Sequence, residues 1–134
     1  MSFHVDIDYE PKINDYNYWR QYDIVHFHRS IGQDFDQANS LIQKLNLMGV
    51  VTIMDLDDYW LPTKEHPAYH LVMQHKIPTK KIFKTNIKVA KYVTTTTPIF
   101  ADEIKKYNKM FLFYQMLLIQ MNHNLWNQQY LLIN

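Results

Sequence analysis

The stretch from Val50 to Trp60, V-V-T-I-M-D-L-D-D-Y-W, constrains the fold most, because a buried-strand pattern runs directly into three carboxylates. An apolar, β-branched run is costly to solvate and carboxylates are costly to bury. The strand therefore belongs inside a sheet, with Asp55, Asp57 and Asp58 at its exposed carboxyl end. In an open α/β sheet that end is where ligands bind.

The segments on either side extend the same pattern. Residues Phe3 to Tyr9 alternate apolar and polar, as in a short edge strand, and one helical turn is expected at Asp15 to Arg20. D-I-V-H-F-H-R, Asp23 to Arg29, reads as another strand. Ala38, Leu41, Ile42, Leu45 and Met48 then recur at helical spacing, with Asp34 or Asp36 to cap the start and Gly49 to close the end. Pro67 is placed to open a helix reaching Lys76. Pro78 opens a second one to Lys91, whose buried face is Ile82, Phe83, Ile87 and Ala90. Tyr92 to Thr96 is β-prone, and Thr97-Pro98 starts a helix to Tyr107 with Phe100, Ile104 and Tyr107 inward. Alternating strands and helices of this kind predict a Rossmann-like three-layer α/β/α sandwich with a mainly parallel sheet.

Composition narrows the function classes. At 134 residues the chain can build one ordinary core, and a net charge of +1 gives no global field to recruit nucleic acid. With no cysteine there is no disulfide framework, thiolate nucleophile or thiol metal site, which fits a reducing, cytoplasmic setting. The N-terminus shows no signal-peptide pattern, and no stretch approaches the roughly 20 apolar residues of a membrane-spanning helix.

Charge then stops abruptly. All 27 Asp, Glu, Lys and Arg residues lie at or before Lys109, and residues 110–134 carry none. One reading is an amphipathic helix with Leu118, Met121, Leu125 and Leu132 on one face. The other is translation out of frame. Back-translating Lys109 to Leu125 with permitted codons and reading two bases later gives Asn-Val-Phe-Val-Leu-Pro-Asn-Ala-Ile-Asp-Pro-Asn-Glu-Pro-Gln-Phe. That sequence has a strand, a turn and ordinary charge, as expected if one adenine were lost from an A-run near Asn108-Lys109. Residues 1–109 would then be the authentic domain and 110–134 an apolar tail packed as strand or helix.

These residues resemble a family. D-I-V-H-F-H-R, the strand ending in D-L-D-D, and Y-V-T-T-T-T-P-I-F-A-D-E-I-K-K-Y at Tyr92 to Tyr107 are similar, in order and spacing, to the GT-B fold glycosyltransferases. The similarity is to the retaining group related to glycogen and lipopolysaccharide glycosyltransferases. The out-of-frame Val-Phe-Val-Leu-Pro-Asn-Ala-Ile-Asp falls where that group has Val-x-Val-x-Pro-Asn-Gly-Ile-Asp. The glycine-rich loop after the first strand is missing, and D-L-D-D stands where the group commonly has His-Asp. The resemblance implies the N-terminal, acceptor-side half of an enzyme that moves a sugar from a nucleotide-sugar donor to a hydroxyl acceptor. Most donor contacts belong to the other half, so the chain alone is expected to be inactive.

The candidate cleft residues are His28, Arg29, Asp57, Asp58 and Thr96, with no catalytic residue assigned and no cofactor expected. Arg29 suits phosphate or carboxylate, Asp57 and Asp58 suit acceptor hydroxyls, and Asp55 suits a structural role. Asp-x-Asp can chelate a hard cation, but the resemblance implies metal-independent chemistry and no metal is assigned. His26 and His28 share a strand face without a third zinc ligand in view. His66 and His70 have metalloprotease spacing, yet Pro67 replaces the glutamate that chemistry needs. Thr94 to Thr97 suit either phosphate or strand and cap roles. The basic residues of Thr79 to Lys91 suit a peripheral contact with an anionic membrane bearing a lipid-linked acceptor. The apolar tail suits a homodimer through Met110 to Ile133. Two other classes compete: a receiver-like phosphoacceptor module using Asp57 and Thr96, which lacks the acidic pair and lysine such modules need, and a nonenzymatic partner-binding domain.

Overall fold

The computed structural model describes residues 4–32, 34–57, 64–65, 69, 79–96, 98–113 and 130–133. Strands and helices alternate as β1 (Val5–Asp8), α1 (Tyr16–Trp19), β2 (Ile24–His28), α2 (Phe35–Leu47), β3 (Val51–Leu56), α3 (Thr79–Val89), β4 (Tyr92–Thr95), α4 (Pro98–Ile104), β5 (Phe111–Phe113) and β6 (Tyr130–Ile133). They form one sheet in the order β1-β6-β2-β3-β4-β5, in which β2, β3, β4 and β5 run parallel. This is an α/β, Rossmann-like architecture with a mainly parallel sheet.

Side-chain alternation divides the sheet. Register pairs Val25 with Thr52 and Phe27 with Met54, and Met54 in turn with Val93. All five are buried. The apolar members join Trp19, Leu41, Ile42, Leu45, Phe83, Ile87 and Ile104 in one core cluster, so the described helices pack against that face. The opposite face carries His26, His28, Ile53, Asp55, Tyr92 and Thr94. The helix expected from Pro67 to Lys76 lies outside the described residues.

Helix α2 begins and ends by local chemistry. The Asp34 carboxylate accepts from the Gln37 amide at 2.8 Å, satisfying one of the donors that a helix start leaves open. At the other end Val50 N–H donates to Leu45 C=O at 3.0 Å and Gly49 N–H to Asn46 C=O at 3.1 Å, with Gly49 at φ +88. Those paired bonds require a left-handed residue, the conformation glycine adopts at least cost. The chain then turns directly into β3.

Polar side chains lock the amino edge of the sheet. The Asn46 amide donates to Val89 C=O at 2.7 Å. Its oxygen accepts from Thr52 Oγ1 at 2.8 Å, and Thr52 Oγ1 in turn accepts from Lys91 N–H at 3.0 Å. Buried Asn108 donates to Ile87 C=O at 2.7 Å and Ala90 C=O at 2.9 Å, and accepts from Met110 N–H at 2.8 Å. This explains why α4 stops at Ile104 instead of reaching Tyr107: a short turn aims Asn108 at the end of α3.

The tail differs from a single amphipathic helix. Phe111–Phe113 extends the parallel sheet beside β4, and Tyr130–Ile133, which includes Leu132, lies antiparallel between β1 and β2. Phe-Leu-Phe and Tyr-Leu-Leu-Ile combine aromatic and apolar residues suited to a pleated surface. Both neighbours of β6 are strands, so its two backbone edges are taken up within the sheet.

Because each polar atom of the Asn108 amide is used, Asn108→Ala is expected to destabilise the protein by about 2–3 kcal/mol, since it strands two helix-end carbonyls. Urea denaturation of the variant and the parent protein measures this.

Candidate functional site

Three strand ends meet on the face opposite the core helices. Register places His28 beside Asp55 and Asp55 beside Thr94, with Asp57 one step beyond β3 and Thr96 one step beyond β4. Each of these side chains comes from an alternate position of its strand, so the pleat directs them to one side. Asp55 accepts from Thr94 Oγ1 at 2.5 Å, tying β3 to β4 through side chains as well as backbone. Across the other gap the Arg29 amide donates to Asp55 C=O at 2.9 Å.

At this edge His28 Nε2 and Asp57 Oδ1 lie 2.5 Å apart, with side chains 27% and 19% exposed. Both are accessible enough to meet a solute yet sheltered enough for the contact to count. The hydrogen bond from His28 holds the Asp57 carboxyl below the ordinary carboxylate range; burial opposes this, and the nearby Arg29 charge adds to the lowering. An ionised carboxylate only accepts, so the proton of this contact sits on His28 Nε2. Deeper on the same face, burial pushes His26 below the usual imidazole range, partly offset by Asp55 and reinforced by His28. His26 is therefore neutral at physiological pH.

Arg29 leaves the end of β2 at φ +60, a left-handed backbone that a non-glycine residue adopts uncommonly. Ser30 N–H closes back onto His28 C=O at 2.6 Å. The turn carries the chain from the strand end to the Asp34 cap of α2, and places Arg29 beside His28 and Asp57. Strain of this kind concentrates at functional sites.

No family model matches the chain, and neither does any curated protein or solved structure. The site is thus defined by its geometry. His28, Arg29 and Asp57 come together; Thr96 stands at the same edge, half-buried; Asp58 lies outside the described residues, as do Thr97, His66, His70 and His75. Asp55 is bonded by Thr94, the member of the threonine run that faces it. That pairing was legible only in register, since Asp55 and Thr94 are far apart in sequence. Among the described residues, no three His, Asp or Glu side chains converge as a metal site. Asp57 and Thr96, paired in the receiver-like reading, occupy neighbouring strand ends, but the Asp57 carboxylate is engaged by His28.

The arrangement offers an acceptor at Asp57, the His28 ring against it, and a cationic guanidinium alongside. It suits a hydroxyl-bearing molecule near a phosphate.

Asp57 has a lowered folded-state pKa, so its stabilising contribution is complete above the ordinary value of 3.8 and is lost as pH falls through the folded value. Between pH 6 and pH 3 the parent protein is expected to lose about 1–2 kcal/mol more stability than Asp57→Asn, given the worth of a charged hydrogen bond. Urea titrations at the two pH values test the difference.

Proposed function

We propose that this chain is the acceptor-side half-domain of a GT-B glycosyltransferase, with its authentic sequence running to about Lys109 and the remainder read out of frame. The parent enzyme transfers a sugar from a nucleotide-sugar donor to a hydroxyl acceptor, and this half alone does not turn over. The observation that carries the reading is the juxtaposition of His28, Arg29 and Asp57 at the carboxyl edge of β2 and β3, where an open α/β sheet receives ligands. The strands involved are the ones whose sequences resemble that family.

In this reading Asp57 and His28 hydrogen-bond the acceptor hydroxyl and orient it, while Arg29 faces the phosphate side of the cleft. Support for the departing diphosphate comes from the other half, and the site needs no metal or cofactor. The protein works in the cytoplasm. The half-domain self-associates through its tail, and β5, at the end of the strand order, is the tail strand placed for edge pairing. The basic α3 faces an anionic membrane surface that bears the acceptor.

The gene decides the first part. The DNA downstream of the Lys109 codon is expected to stay open in the alternative frame for at least the length of a second Rossmann-like half; an early stop there rules the proposal out. In the frame-restored enzyme, His28→Ala is expected to reduce sugar transfer about 10- to 100-fold, the worth of a hydrogen bond to a charged or polarised group. Transfer assays with nucleotide-sugar donors read this directly. Undiminished transfer would remove His28 from the site.

A further inference from the structure

A second concavity lies at the opposite, amino edge of the sheet. An open groove of about 620 Å³ runs between the end of α3, the start of β3 and the turn from α4 into β5. Val51, Val89 and Met110 contribute apolar surface, and the Tyr107 ring stands at one side. Lys88, Lys91 and Lys109 line it as exposed side chains, and no acidic side chain does so among the described residues. The Lys84 ammonium, 4.9 Å from the centre of the Tyr107 ring, brings a fourth positive charge to that side.

Lysines at helix ends usually need no ligand to explain them, because they complement the terminal carbonyls and the negative end of the helix dipole. Here that task is filled. Asn108 donates to Ile87 C=O and Ala90 C=O, and Asn46 donates to Val89 C=O. Lys105 and Lys106 are tied to Asp102 and Glu103, whereas Lys88, Lys91 and Lys109 form no ion pair among the described residues. Three like charges held around one apolar concavity repel one another, and an anion relieves that repulsion.

We propose that this groove binds a small phosphate-bearing molecule with an apolar body. Its volume is in the range of small-ligand sites. Flexible ammonium groups suit a compact dianion approached from several directions, and the valine and methionine surface gains from covering by apolar groups. The site lies at the other end of the strands from His28 and Asp57, and of its lining Met110 alone falls in the tail that the proposed function reads as out of frame.

The test is an NMR titration of the full chain with phenyl phosphate, inorganic phosphate and benzyl alcohol. Phenyl phosphate is expected to bind more tightly than either of the others and to move the amides of Lys88, Lys91, Lys109 and Met110 while sparing Arg29. Lys91→Glu is expected to weaken it about tenfold, the exchange of an exposed attraction for a repulsion, and the milder Lys91→Gln by less. Equal binding of benzyl alcohol would show that charge plays no part, and equal binding of inorganic phosphate that the apolar surface plays none. Either outcome overturns the proposal, as do shifts confined to Arg29 and Asp57 or an affinity unmoved by Lys91→Glu.

Discussion

The two-residue period of the pleated strands is the constraint on which the rest depends. Val25, Phe27, Met54 and Val93 lie on the face opposite His28, Asp55 and Thr94, and a slip of one residue would turn the carboxylates into the helix-covered core. Core and site are therefore fixed by one decision. The apolar positions of β2, β3 and β4 select the register, and the polar positions are carried with them to the opposite face. The His28–Asp57 contact follows as a by-product of burying Phe27 and Leu56.

A polar counterpart operates at the amino edge. Asn46, Thr52 and Asn108 satisfy carbonyls and amides where α2, β3, α3, β4 and β5 converge. A buried polar group costs little when every hydrogen bond is made and a great deal when one is missing. The network therefore acts as a set of geometric pins, each joining segments distant in the chain. It also frees the nearby lysines from capping duty.

Elements with a strong period were legible in the sequence. Helix α2, its Asp34 cap and its Gly49 stop follow from residue spacing, and so do β2, β3 and the edge strand β1. His28, Arg29 and Asp57 were reachable because strand ends in an α/β sheet share an edge. What could not be read was what register alone decides: that Asp55 meets Thr94, that Asn108 turns back onto α3, and that Tyr130–Ile133 joins the sheet. A four-residue apolar run is equally compatible with a strand or part of a helix. The long-range partner, absent from any local window, settles which it becomes.

The position of β6 bears on how the molecule assembles. Val5 pairs with Ile133 and Ile24 pairs with the same residue from the other side, so β1 reaches the rest of the sheet through a strand from the far end of the described chain. Closing so long a loop carries a large entropy cost before any contact repays it. The β2–β5 portion, with local crossovers, can form first. Until β6 arrives, β2 presents an open flank, and hydrogen bonds from Tyr18 to Asp8 and from Tyr22 to Asp6 tie β1 to the segment around α1. Those two phenols act as a tether that keeps the first strand waiting for its neighbour.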